Sequence, residues 1–191
     1  METINLPLYF APPIAWFSLA IKHSEIILVN DNKFPKQTYR NRFDYGTFQG
    51  IKTFSIAING DTKNNEFTAV QIDDKAKWGK QLIQTLKTTY GNSPFYEYYG
   101  YKFEAIFLKN HTYLWQLNLE VLKLIYSILK LELKYTILSL SSKEIEPIEL
   151  KIQKHEIITY YQVFKPTQKF MPNLSILDLI FNEGPDAYHF L

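Results

Sequence analysis

Arg40 and Arg42 stand two positions apart in the stretch KQTYRNR, residues 36–42, which places three cations, two amides and a Tyr within seven residues. In a loop or a strand, two such arginines can point the same way and form a fork for a phosphate or a carboxylate. Lys36 adds a point charge, and Asn41 can both donate and accept. The stretch follows an apolar run, EIILVN, and α/β proteins commonly place ligand loops after such a strand. The plain alternative is a solvated polar loop, and spacing alone does not displace it.

A second group lies near the other end of the chain. Tyr160, Tyr161 and Gln162 are followed by PNLSILD, residues 172–178, and then by NEGP, residues 182–185. Asp178 and Asn182 lie one helical turn apart and so share a face. Asn173 and Ser175 sit where free backbone N–H groups at a helix start would favour an anion. The same two residues are ordinary helix caps, and Gly184-Pro185 is an ordinary helix stop. Asp178 stands between Leu177 and Leu179 in an apolar helix and needs a partner if buried; an arginine from residues 36–42 is the expected one. Asp31, at the end of the EIILVN run, is a candidate base or ligand, although Asn30-Asp31-Asn32 also reads as a turn.

The elements that position these residues follow from the hydrophobic periods. Residues 3–10 suit a short strand. Residues 13–23 follow Pro12 and suit a helix, because Pro is tolerated in a first turn. Residues 25–30 read as a buried strand. Residues 51–58 alternate, and residues 67–72 form a second such run, which predicts a hairpin with a long polar loop. The period then changes: Trp78, Leu82 and Leu86 recur at helical spacing, and three consecutive helices are expected over about residues 76–130. Strands are expected at 134–140 and 157–164, and a short helix at 176–183. Residues 141–156 are charged and carry no clear period. Strands around a helical block predict an α/β fold: one domain over residues 1–191, with a mixed or mainly parallel central sheet and a short C-terminal helix.

Composition narrows the chemistry. A chain of 191 residues with 46% hydrophobic residues can bury a substantial core. It has no cysteine, which excludes disulfides, thiolate nucleophiles and Cys-ligated zinc. The four histidines show no metal-binding spacing, and neither a P-loop, G-x-G-x-x-G nor G-x-S-x-G is present. No metal and no cofactor are expected. A net charge of +2 without a basic face disfavours nucleic acid as a partner. The most apolar helical run, residues 113–131, is broken by Gln116, Asn118, Glu120, Lys123 and Lys130, so membrane insertion is not expected and the reading is a cytoplasmic protein.

Together these pieces resemble the WbqC-like protein family. YFAPPIAWF at residues 9–17 is similar to the family's opening Y-F-x-P-x-I-G-Y-F. FPKQTYRNR at 34–42 is similar to its F-x-K-x-x-[WY]-x-N-R segment. Trp78, SPFY at 93–96 and LNL at 117–119 resemble its central helical motifs. Tyr161-Gln162 and LSILDLIFNEGP at 174–185 resemble its closing Y-x-Q and L-S-I-L-D-L-L-F-N-x-G-P. The chain departs from the pattern at Pro7-Leu8, at Ala15 where the family has Gly, and in a short, charged, glycine-free segment at 142–156. A Gly loop lets backbone approach a ligand closely, and that device is missing here.

The resemblance implies a link to the synthesis of O-antigen and other surface polysaccharides, with a transferase acting on an activated sugar or polysaccharide precursor as the implied activity. One pocket is expected. Lys36, Arg40 and Arg42 would bind an anion such as the phosphate of a nucleotide-sugar. Asn41, Gln162, Asn173, Ser175 and Asn182 would orient polar groups, Tyr9 and Tyr161 would wall the pocket, and Asp178 would hold an arginine or act as base. The alternative is a non-catalytic member serving as a protein-interaction module, with the same polar residues forming a buried structural network.

Overall fold

The computed structural model describes residues 2–35, 37–60, 66–140, 142–153, 155–164 and 169–191. Its frame is a three-stranded parallel sheet in the order β1 (Thr3–Pro7), β2 (Glu25–Asp31), β5 (Tyr135–Leu140). Ile4 lies opposite Ile26, and Leu28 opposite Ile137. Parallel neighbours need a crossover, and α1 (Ile14–Ala20) provides it between β1 and β2. Every residue of α1 is buried, which explains why its sequence shows no polar face.

Between β2 and β5 run an antiparallel hairpin, β3 (Arg42–Thr47) and β4 (Gly50–Ser55), and then three helices, α2 (Trp78–Tyr90), α3 (Tyr96–Phe107) and α4 (Leu114–Ile128). These helices fall where the helical spacing predicts them. Trp78, Leu82, Leu86 and Tyr90 form the buried stripe of α2. The chain finishes with α5 (Ser142–Gln153), α6 (Ile176–Glu183) and a 3-10 segment, Gly184–Phe190. The α/β class, the parallel sheet, the helical block and the short C-terminal helix are all present.

Three local expectations change. The partner of residues 50–55 is Arg42–Thr47, not residues 67–72. Phe67–Ala69 forms a 3-10 turn, and the following residues make only the isolated bridges Ile58 to Ile72 and Gln71 to Tyr113. Arg42 and Asp44 mask the alternation that buries Phe43 between them. Among the described residues, 157–164 pair with no strand, although Tyr160 and Gln162 are buried and Tyr161 is exposed, as a strand period requires. Their amides go to side chains of α6 instead: Tyr161 N–H donates to Glu183 Oε1 at 2.9 Å and Val163 N–H to Asn182 Oδ1 at 3.0 Å. These bonds replace a sheet ladder. The charged stretch without a clear period forms α5.

The two ends of the chain meet. Ile14 N–H donates to Leu174 O and Ile176 N–H to Pro12 O, and Pro13 bridges Ser175. Pro13 gives α1 no side-chain cap, but Asn173 Oδ1 accepts from Ala15 N–H at 3.0 Å and caps that helix from across the chain. Ser175 Oγ accepts from Leu177 N–H to cap α6, and donates to Ala11 O at 2.9 Å.

Candidate functional site

The carboxyl ends of the parallel strands converge on Arg40. Asp31 is the last residue of β2, Tyr9 follows β1 by two positions, and Glu149 comes from α5, which follows β5. Arg40 is fully buried. Its Nη2 donates to Asp31 Oδ1 at 2.8 Å, its Nε to Asp31 Oδ2, and its Nη1 to Glu149 Oε1 at 2.9 Å. The Tyr9 ring lies beneath the guanidinium, 5.6 Å from Cζ to centroid, and Tyr9 Oη donates to Glu149 Oε1 at 3.2 Å. Asn118 on α4 donates to the Arg40 carbonyl at 2.7 Å and fixes the loop from below. Burial alone would lower the Arg40 pKa, but the Asp31 charge and hydrogen bonds, then Tyr9 and Glu149, outweigh it and hold the guanidinium charged. Burial pushes the Asp31 carboxyl up, and Arg40 opposes that. Burial, then Glu149, pushes the Tyr9 hydroxyl well above the usual phenol range.

Arg42, at the first position of β3, behaves differently. It opens on a cavity of about 270 Å³ whose wall includes Tyr9, Tyr39, Asp44 and Glu149, with Gln37, Thr38, Thr53 and Gln153 around them. Its Nε is buried and has no hydrogen-bond partner. Asp44 is held in place: Tyr39 Oη donates to its Oδ2 at 2.6 Å, and Thr53 Oγ1 donates to its Oδ1. Burial, followed by the Asp44 contact, raises the Tyr39 hydroxyl pKa, so it stays a donor. The Tyr9 and Tyr39 rings tilt at 59° with centroids 5.6 Å apart; Tyr39 is half-buried at the cavity and Tyr9 is buried beside it. Gln37 adopts a left-handed backbone with φ 60°, which tightens the rim loop.

Asp178 sits in a third, closed group. Its Oδ2 accepts from Tyr160 Oη and from Gln162 Nε2 at 3.2 Å. Gln162 also spans the backbone of Met171, donating to its carbonyl at 2.9 Å and accepting from its N–H at 3.0 Å. Asn182 Nδ2 returns to the Asp178 carbonyl at 2.7 Å. Tyr90 lies close enough for the Asp178 charge to raise its hydroxyl pKa further, yet neither Tyr90 Oη nor Asp178 Oδ1 has a partner of good hydrogen-bond geometry. Burial raises the Asp178 carboxyl to about 6, against the bonds from Tyr160 and Gln162 and the nearby Tyr90 hydroxyl. Asp178 has 0% exposure and Gln162 1%, which leaves no opening for a ligand.

A cavity of about 200 Å³ at the start of α2 is lined by Lys77, Lys80 and Lys109. These lysines are exposed, Lys109 pairs with Glu120, and no buried polar atom without a partner belongs to that lining. Among the described residues, no group of three or more His, Asp or Glu side chains could hold a metal ion, and no helix is long and apolar enough to cross a membrane.

The model of the WbqC-like protein family matches residues 8–147 and 144–190. The chain belongs to this family. Neither the curated proteins nor the solved structures compared with it give a match. The two matched segments join at residues 144–147, inside α5, where this WbqC-like protein has its short glycine-free segment and where Glu149 approaches Arg40.

The structure thus divides the residues selected from sequence. Tyr9 and Arg42 line the open cavity, while Arg40 lies behind it. Lys36 lies outside the described residues. Asn41 bonds to residue 56 through both groups, Nδ2 to Ile56 O at 2.9 Å and its carbonyl from Ile56 N–H at 2.7 Å, and extends the hairpin pairing. Gln162, Asp178 and Asn182 form the closed group, Asn173 and Ser175 are caps, and the Tyr161 side chain is exposed. The expected arginine partner of Asp178 is replaced by Tyr160 and Gln162; Arg40 is taken by Asp31 and Glu149. Sequence reasoning missed Asp44, Thr53 and Glu149. Asp44 alternates with Phe43 and Tyr45, a signal that could have placed it on a strand face. Glu149 lies in a stretch whose helical period is weakened by scattered charges, and no local pattern marked it.

Proposed function

We propose that this WbqC-like protein is a cytoplasmic transferase-type enzyme of surface-polysaccharide synthesis, and that its ligand site is the cavity between Tyr9, Tyr39, Arg42, Asp44 and Glu149. The observation that carries this reading is that Arg42 lines the cavity while its Nε–H is buried with no partner. Buried donors are nearly always satisfied, so an orphan at a concave site points to a missing acceptor. The location supports it, since open parallel sheets bind ligands beyond the carboxyl ends of their strands. Glu149 lines the cavity, and the bonds from Arg40 and Tyr9 both go to its Oε1. In a transfer step, an acceptor hydroxyl would give its proton to Glu149 as its oxygen bonds to the donor's electrophilic carbon, and the leaving group would depart with its electron pair. Arg42 and Asp44 would position the acceptor.

Isothermal titration and thermal shift with a panel of nucleotide-sugars and free sugars test the reading. A ligand held at about 100 times its Kd adds about 2.7 kcal/mol to stability. Binding that is lost in Arg42→Ala supports the site. The absence of any binding partner in the panel, or binding that survives that change, removes it.

The interaction-module reading draws on one observation. β5 is an edge strand with four of its six residues exposed, including Ile137 at 52% and Leu138 at 44%. Exposed apolar edges pair with other strands. A protein-level binding partner lost in Ile137→Lys, with Arg42→Ala neutral, would favour this second reading.

A further inference from the structure

The same cavity carries a second inference, which rests on the proposed ligand site and names what it holds. Of the described charged side chains that line the cavity, Arg42 is positive and Asp44 and Glu149 are negative. Behind them Arg40 is shared between Glu149 and Asp31, so the five described charges sum to one negative. A phosphate entering here would meet one guanidinium and two carboxylates. Arg42 is free to bind it, but the repulsion from Asp44 and Glu149 opposes the same contact. An ammonium group would be attracted by the carboxylates and repelled by Arg42.

A hydroxyl group has neither conflict. It donates to a carboxylate and accepts from a guanidinium at the same time. The cavity lining brings one guanidinium and two carboxylates together. Asp44 and Glu149 are held by neighbouring hydroxyls, so their remaining lone pairs point from fixed positions, and the Arg42 Nε–H waits for an acceptor. The half-buried Tyr39 offers an aromatic wall for the C–H face of a ring, with the buried Tyr9 ring packed beside it. The volume, about 270 Å³, falls just below the roughly 300–1,000 Å³ typical of drug-sized ligand pockets. It is the size of one ring, and a nucleoside diphosphate would extend beyond it.

We infer that the cavity between Tyr9, Tyr39, Arg42, Asp44 and Glu149 recognises a single uncharged polyhydroxylated ring, the acceptor sugar, through its hydroxyl groups rather than through a phosphate. Arg42 and one carboxylate together bracket neighbouring hydroxyls, and Tyr39 covers the apolar face.

The test is an NMR titration of the full chain, following the arginine Nε–H signals. The probes are methyl glycosides of glucose, galactose and mannose, N-acetylglucosamine, inorganic phosphate, glycine and a nucleotide-sugar. The expected result is a saturable shift of the Arg42 signal with at least one neutral sugar, with phosphate and glycine at least tenfold weaker. Asp44→Asn should weaken that sugar at least tenfold while leaving the Arg40 signal in place, which reports that the fold is retained. Tighter binding of phosphate or glycine than of every neutral sugar overturns the inference. So does nucleotide-sugar binding that no neutral sugar competes with; that outcome spares the ligand site itself. A cavity that binds none of the probes removes both readings.

Discussion

Arg40 and Arg42 are two residues apart and have opposite surroundings. Arg40 has every direction filled: Asp31 on two of its nitrogens, Glu149 on the third, Tyr9 against its face. Arg42 has a buried Nε with no partner and a cavity in front of it. The difference comes from the backbone. Arg40 sits in the loop before the strand, where it turns inward toward the end of β2, and Arg42 opens the hairpin on the side that faces the rim. Proximity in sequence and identity of residue type therefore say little about role. What separates a structural cation from a ligand-facing one is whether its donors already have acceptors. The Asp178 group falls with Arg40 on this criterion, as a closed network that joins Tyr160, Gln162 and Met171 to α6.

The comparison breaks most visibly at Arg40. Removing one member of a buried ion pair leaves the other charged and unpaired, at a cost of about 3–5 kcal/mol. Arg40→Met strands Asp31 at 1% exposure and frees Glu149. Its urea midpoint should fall by an amount corresponding to that range. A loss below about 1 kcal/mol would show that the Arg40 network is not what holds the loop.

Asp178 gives the next largest effect, and it appears in the pH dependence. Its folded pKa, about 6, lies above its ordinary value of 3.8. Between those values the folded chain keeps a proton that the unfolded chain has released. Stability therefore falls as pH rises from about 4 to 6 and levels off above, by a total on the order of 3 kcal/mol at about 1.4 kcal/mol per unit. Asp178→Asn cannot ionise, so the difference between wild type and variant should trace that fall, with the variant at least as stable at pH 7. Asp31 contributes to both chains and cancels in the difference. Parallel profiles across pH 4–7 would mean that the carboxyl is not held in this way.

The extent to which these roles were visible in the sequence depended on how local their cause is. Helices α2 to α4 and the strands β1 and β2 show in the hydrophobic period, because each buries a stripe of its own residues; β5 shows in its apolar run although four of its six residues are exposed. The meeting of the two ends was expected from an unpaired Asp178 and a cationic loop, and the ends do meet, but through backbone and caps. Which arginine meets which carboxylate depends on the packing of α5, an element with no clear period in its charged sequence. Residues 157–164 show the converse. Their alternation is real, yet Asn182 and Glu183, about twenty positions later, supply the acceptors that a neighbouring strand would have offered.

Ser175 tests the caps that bring those ends together. It accepts from Leu177 N–H and donates to Ala11 O. Ser175→Ala should cost about 1 kcal/mol, within the usual 0.5–2 for a lost N-cap. A cost near zero in thermal or urea unfolding would assign the junction to the backbone bonds alone.

Arg42 should have the smallest effect on the fold, and that small effect is the most informative contrast with Arg40. Truncation to Ala removes a buried donor that has no acceptor, so no partner is left behind. Some packing of the side-chain stem against the β3–β4 hairpin is lost in exchange. The two changes oppose each other, and the urea midpoint of Arg42→Ala should correspond to wild type within about 0.5 kcal/mol. If instead Arg42→Ala unfolds as readily as Arg40→Met, the two arginines belong to one structural network. An unchanged midpoint combined with lost ligand binding separates them: one arginine maintains the fold, and the other is kept for something that enters from outside.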